Sequence, residues 1–211
     1  PGTLAQVAQI IGEGGGNMVG TQWGPSLGVL REVELKKCLA KLGVRHVFFL
    51  DQLDFAYTES LAATLRRWDR EETLRRLVRL VRALRPEVIL TMNPAPTPGQ
   101  DWHHQAAGVM STEAFEAAAD AARFPEQLSR EGLSVWQVRK LYYRGGREDA
   151  LMIATDEALP NGSTPAQIAG EALSEHRSQA FGNFANSPWL RRPQSFTLAR
   201  TAVLTPAQEK D

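Results

Sequence analysis

Strands alternating with amphipathic helices predict a layered α/β fold with a mostly parallel sheet. Three observations carry that expectation. Glu71 to Leu84 sets Leu74, Leu77, Val78, Val81 and Leu84 on one helical stripe with arginines opposite. Pro86 stops this helix, and the apolar run Val88 to Met92 reads as a buried strand. That strand leads into a Pro-rich loop closed by Asp101-Trp102-His103-His104, which holds two of the four histidines. Open α/β sheets keep their binding sites at the carboxyl ends of strands, so any chemistry is expected at this loop.

The remaining elements follow in order. Thr3 to Ile11 reads as a helix, broken by Gly12-Glu13-Gly14-Gly15-Gly16. The glycine cluster has neither GxGxxG nor GxxxxGKS spacing, which discounts a nucleotide site. Leu30 to Leu42 carries Leu30, Val33, Cys38 and Leu42 at helical spacing and stops at Gly43. Val44 to Leu50 is strand-like and ends in Asp51-Gln52-Leu53-Asp54. Gln105 to Ala122 is Ala-rich and helical, which puts His103 and His104 near a helix N-terminus. Val138 to Tyr143 and Leu151 to Ala154 read as strands. Pro165 to Gln179 reads as a helix with Ala166, Ile168, Ala169, Ala172 and Leu173 inside, and Phe196 to Val203 as a terminal strand. The loop regions 12–27 and 93–103 are expected to be the mobile parts.

Composition narrows the class. A chain of 211 residues with 43% hydrophobic residues buries a real core and reads as one domain, 1–211. Its 24 basic residues balance 24 acidic ones, so charge gives no case for nucleic acid or an anionic membrane. No apolar run approaches the roughly 20 residues that span a bilayer, and the first residues do not resemble a signal peptide. The single cysteine, Cys38, lies among Leu35, Leu39 and Leu42 and reads as a small core residue. A reducing, cytoplasmic setting is the default expectation.

Each candidate site residue has a structural and a chemical reading. Adjacent histidines are often ordinary surface residues. Here the upstream carboxylate, the helix start and the sheet's carboxyl edge favour a site. Zinc takes three protein ligands at a catalytic centre, and the local sequence supplies at most two. His176, in Ser174-Glu175-His176-Arg177-Ser178-Gln179, either faces a helix C-terminus as a cation or points a polar group into a cleft. Asp54 either receives a ligand hydroxyl or closes a turn. Arg31 with Glu34 forms a surface ion pair or recognises an anion or sugar. His46 reads as structural. Trp23, Trp102 and Trp189 either stack on a sugar face or pack.

Taken together, several segments resemble the LmbE-like, or PIG-L, family of zinc-dependent N-acetylglucosaminyl deacetylases. They are Gly2-Thr3-Leu4-Ala5, Gly12-Glu13-Gly14-Gly15, Arg31-Glu32-Val33-Glu34-Leu35 and Leu42-Gly43-Val44. Further along are Arg85-Pro86-Glu87-Val88-Ile89-Leu90-Thr91, Asp101-Trp102-His103-His104-Gln105-Ala106-Ala107-Gly108, Lys140-Leu141-Tyr142-Tyr143 and His176-Arg177-Ser178-Gln179. The pieces are collinear and spread over most of the chain.

The resemblance implies a Rossmann-like three-layer sandwich and hydrolysis of an N-acetyl group on an N-acetylglucosamine-type conjugate. Zn²⁺, or another divalent metal, would be the cofactor, and a metal-bound water would attack the amide carbonyl. By alignment with the family's H-P-D-H motif, His104 takes the metal-ligand position. Asp101 falls where the family has its catalytic histidine, and His103 where it has an aspartate. Both are candidate catalytic residues, and which of them stabilises the oxyanion stays open. Arg31 and Asp54 fall at substrate-contacting positions, and His176 is expected on the substrate side. The expected partner is a small N-acetylated sugar conjugate, with no nucleic acid and no membrane span, and homo-oligomers are left open.

The family opens with a strand and A-H-P-D-D, which supplies two ligands and the base. This chain starts at Pro1-Gly2-Thr3, downstream of that motif. It also leaves no room for a strand between Val7 and Gly12. The sheet's first two strands and the first metal ligands are therefore expected to lie outside this sequence, and a degenerate homologue is the alternative. A metal-free sugar- or partner-binding relative is the non-catalytic competitor. A metal-free α/β hydrolase is disfavoured, since the chain contains no G-x-S-x-G.

Overall fold

The computed structural model describes residues 7–10, 25–52, 60–97, 99–146 and 149–203. In order these form β1 (Val7–Ile10), α1 (Pro25–Lys41), β2 (His46–Phe49), α2 (Leu61–Arg67), α3 (Arg70–Leu84), β3 (Val88–Thr91) and α4 (Trp102–Ala117). Next come α5 (Pro125–Ser129), β4 (Lys140–Arg144), β5 (Leu151–Ile153), α6 (Pro165–Leu173) and β6 (Gln194–Thr201). Short 3₁₀ turns at Arg177–Gln179, Phe181–Phe184 and Pro188–Arg191 separate α6 from β6.

The strands form two sheets. β1 pairs with β2 in parallel, Val7 opposite His46. The other sheet runs in the order β3-β4-β6-β5. Its β3–β4 pair is parallel, with Val88 opposite Lys140, whereas β4–β6 and β5–β6 are antiparallel. The expected mostly parallel sheet is thus corrected to a mixed one. Parallel neighbours need a crossover laid back over the sheet. The helix between β5 and β6 packs instead on α1 and on the 3₁₀ turns. A second correction concerns Val7–Ile10, which is a strand and not part of a helix. Pairing with β2 supplies its backbone partners, and tertiary context overrides local propensity. The same strand occupies the stretch that had no room for one.

The core lies between α3, α4 and the β3–β4 ribbon. Leu74, Leu77, Val78 and Val81 of α3 meet Ala106, Ala107, Met110 and Ala114 of α4 over Val138 and Leu141. Each large aliphatic side chain buried here contributes about 1.5–3 kcal/mol. Small residues let α4 approach closely. A Cβ on Gly108 would stand 2.7 Å from the Pro94 nitrogen and 2.9 Å from the Asn93 carbonyl carbon. β3 alternates, so Ile89 packs inward while Val88 and Leu90 are 39% and 55% exposed on the opposite face. Among the described residues, that face does not carry the second helical layer of a three-layer sandwich.

Helix ends are set by local chemistry. Asp69 caps α3 by accepting the Glu72 N–H at 3.3 Å. Glu72 then accepts from Arg75 at 2.7 Å and from Arg76 at 2.7 Å, which hold its carboxyl down at about 2. One arginine departs from the expected solvent stripe: Arg82 is 1% exposed. Its guanidinium donates to the carbonyls of Ala117, Ala118, Asp120, Arg123 and Phe124 and to Gln127 Oε1. On α6, Thr164 and Gln167 form a reciprocal capping box, with Pro165 at the first turn. Cys38 and Leu39 of α1 are buried, as a core reading of the cysteine requires. Among the described residues, no helix is long and apolar enough to cross a membrane.

Candidate active site

The loop after β3 ends in a helix start built by its own carboxylate. Asp101 is the N-cap of α4, and its Oδ1 accepts the His104 backbone N–H at 2.9 Å. The same oxygen lies 3.2 Å from His104 Nδ1 and 3.9 Å from His103 Nδ1. The Asp101 side chain is 10% exposed, and burial by itself disfavours its charge. Hydrogen bonds from the His104 ring and backbone, with the nearby imidazole charges, outweigh that burial. The carboxyl is held below the usual aspartate range.

The two imidazoles have different surroundings. His104 is 34% exposed, with Nδ1 turned to the carboxylate and Nε2 on the far side of the ring. A carboxylate on one ring nitrogen fixes the tautomer and raises the basicity of the other. His103 is 1% exposed and packs against Trp68, with ring centroids 5.3 Å apart. The turn thus pairs one accessible and one enclosed imidazole with one carboxylate.

The other expected site residues belong to other segments of the chain. Arg31 is on α1, half-buried, in the middle of a helix that begins at Pro25. Glu34, one turn on, is 5% exposed, so a surface ion pair does not describe it. Its carboxylate accepts the Ser178 N–H at 2.8 Å and the Ser178 hydroxyl at 2.6 Å. This joins α1 to the turn that carries His176. His176 is itself 5% exposed and meets Phe181 edge-on at 5.9 Å. It stands immediately before the Arg177–Gln179 turn, three residues past Leu173, the last residue of α6, and makes no side-chain capping bond there. Asp54, Trp23 and the glycine cluster 12–16 lie outside the described residues.

Two features escaped the sequence reading. One is the Glu34–Ser178 link, whose partners are 144 positions apart. The other is Gln105, a buried amide that donates to the Pro94 carbonyl at 2.7 Å. Its only signal was a polar residue directly ahead of Ala106-Ala107-Gly108. Asp101 with His104 supplies two donors. Among the described residues, no group of three or more His, Cys, Asp or Glu is arranged to hold a metal. These residues alone therefore do not fit a zinc centre, which takes at least three protein ligands.

The fold is mixed α/β, with a carboxylate–imidazole pair on the loop and helix start that follow a parallel strand. Comparison with known proteins gives the family. Residues 5–115, over half of the chain, match PIG-L, described as GlcNAc-PI de-N-acetylase. The chain belongs to this LmbE-like family. It is 30% identical over 157 residues to the 1D-myo-inositol 2-acetamido-2-deoxy-α-D-glucopyranoside deacetylase 1 of Catenulispora acidiphila. That match covers 71% of this chain and 47% of the relative, so the chain spans about half of that protein's length.

Solved structures share the fold. The N,N'-diacetylchitobiose deacetylase of Pyrococcus horikoshii superposes with a TM-score of 0.63 at 15% identity, over 88% of this chain and 69% of that one. GalB of Pseudomonas putida, a 4-carboxy-2-hydroxymuconate hydratase, gives 0.56 at 13% identity, over 89% and 78%.

Proposed function

We propose that this chain belongs to a metal-dependent N-deacetylase that hydrolyses the acetamido group of an N-acetylglucosamine-type conjugate. Such a reaction gives acetate and a free amine. The observation that carries the reading is the Asp101–His104 pair, 3.2 Å apart at the carboxyl end of β3 within the family-matched segment. Amide hydrolysis requires a proton taken from the attacking water and one delivered to the departing amine. A carboxylate that orients an imidazole, and stabilises its cation, suits that proton traffic or the holding of a metal. Asp101 is the orienting group, and His104 the residue of this chain assigned to Zn²⁺. Arg31, Asp54 and His176 are assigned to the substrate. His103, enclosed by Trp68, is assigned to the catalytic cluster through its 3.9 Å approach to Asp101.

A non-catalytic sugar-binding homologue is the second reading. It is favoured by one observation, the shortage of metal donors among the described residues. The hydratase on the same fold also warns that fold alone does not select the reaction. The deciding experiment measures zinc content and acetate release from an N-acetylglucosaminyl-inositol and from N,N'-diacetylchitobiose. Wild type should hold about one zinc per chain and release acetate, and His104→Ala should lose both. Asp101→Asn should lower activity roughly 10–100-fold, as loss of an orienting partner does. Wild type that stays zinc-free after zinc loading and releases no acetate would leave the binding reading.

A further inference from the structure

Arg31, Glu34, Cys38 and Lys41 recur at three- and four-residue intervals, so they share one face of α1. That face is tied to the segment after α6 at two points. Lys41 Nζ lies 3.4 Å from Glu175 Oε1, and the Glu34 carboxylate accepts the Ser178 N–H at 2.8 Å and the Ser178 hydroxyl at 2.6 Å. The two ties stand about 10 Å apart along the helix axis. Position falls along the helix as it rises along the segment, so the segment runs antiparallel to α1. His176 lies between the ties in sequence, and Arg31 lies one helical turn beyond Glu34 on the tied face.

The two ties differ in kind. The Lys41 side chain is 40% exposed, so its ion pair contributes little. Glu34 is 5% exposed, and burying a carboxylate is costly. An apolar side chain at that place would join helix and segment without the cost. What the carboxylate adds is direction: its two oxygens meet the N–H and the hydroxyl of one residue, which fixes both spacing and register. We infer that Glu34 is a positioning residue. Through Ser178 it sets the helix turn that carries Arg31 against the segment that carries His176. The inference rests on the assignment of Arg31 and His176 to the substrate under the deacetylase reading above. Glu34 itself acts through these two residues, so its loss is expected to weaken substrate binding and to spare the chemistry at Asp101 and His104.

The test measures steady-state acetate release from N,N'-diacetylchitobiose below the unfolding transition of each variant, with folding checked by circular dichroism. Glu34→Asp keeps the charge and draws the oxygens back by one methylene. It should raise KM on the order of tenfold with kcat held, since a misplacement of about 1 Å is costly. Glu34→Gln removes the charge and keeps the reach. Its carbonyl can accept the Ser178 N–H while its amide donates to the Ser178 hydroxyl, so KM should stay within about threefold of wild type. Val78→Ala, a core truncation on α3 in a cluster without α1 residues, lowers stability and should leave KM unmoved. An unchanged KM in Glu34→Asp, a fall in kcat alone, a Glu34→Gln as impaired as Glu34→Asp, or an equal rise in Val78→Ala would each overturn the inference. If wild type releases no acetate, binding of the same disaccharide is followed by ligand-observed NMR. Binding weakened in Glu34→Asp and kept in Glu34→Gln would then support the positioning role and remove the hydrolase reading. Neither acetate release nor binding in wild type would overturn both.

Discussion

Glu34 on α1 accepts two hydrogen bonds from Ser178, its backbone N–H at 2.8 Å and its hydroxyl at 2.6 Å. The carboxylate is buried, so these bonds are not exchanged for water at low cost. Removing one partner leaves the other unsatisfied, which costs about 1–3 kcal/mol. Glu34→Ala is expected to lower unfolding free energy by about 2 kcal/mol, and Ser178→Ala by less, since the backbone bond survives. Chemical denaturation of both single variants and the double variant checks this. Additive effects would show that the two residues are not coupled.

Asp101 has a pH signature. Its carboxyl is held below the ordinary aspartate range in the folded chain, mainly against burial and through its bonds to His104. A depressed folded pKa means that stability is present above the unfolded value and lost as pH falls through the folded one. The stability gap between wild type and Asp101→Asn should therefore be full near neutrality and shrink below about pH 4. Asp101→Ala should cost about 1 kcal/mol at neutral pH through the lost cap. A gap that widens on acidification would contradict the assignment.

Arg82 is a buried staple. Its six bonds gather the end of α4 and the segment through Gln127 around one guanidinium. Burial lowers its pKa, against the opposing pull of Asp120 and Glu126, yet a guanidinium stays charged at any working pH. Arg82→Met strands carbonyls that only a planar donor fork reaches. A loss of about 3 kcal/mol or more is expected, and Arg82→Lys should recover little of it. Thermal unfolding that is unmoved in Arg82→Met would refute the staple.

Gly108 is where α4 presses against the loop that follows β3. An added Cβ would strike the Met92 carbonyl oxygen and lie 2.7 Å from Pro94 N, both backbone atoms that cannot turn aside. Gly108→Ala should therefore displace the 92–94 segment or α4, despite alanine's better helix propensity. We expect lower stability together with weaker activity, because the displaced loop leads to Asp101. Thr112→Ser on the same helix, which keeps the hydroxyl bonded to Tyr143 at 2.7 Å, should be near neutral and serves as the control.

The sequence alone determined those features that depend on neighbours within one or two turns. The α3 stripe is visible because Leu74, Leu77, Val78 and Val81 repeat at the helical period, and all four are buried. The β3 strand, the helix that follows it and the grouping of Asp101 with His104 are equally local, since a cap and its third residue lie within one turn. Only the tertiary structure decided the rest. Val7–Ile10 is a strand because β2 lies beside it. The sheet is mixed because α6 packs on α1 and leaves β6 to return antiparallel. Arg82 is interior because distant carbonyls converge on it, and Glu34 because Ser178 arrives from 144 positions away. Local periodicity reports which face of an element is apolar. Which polar groups are enclosed is set by contacts whose partners the chain brings together only on folding.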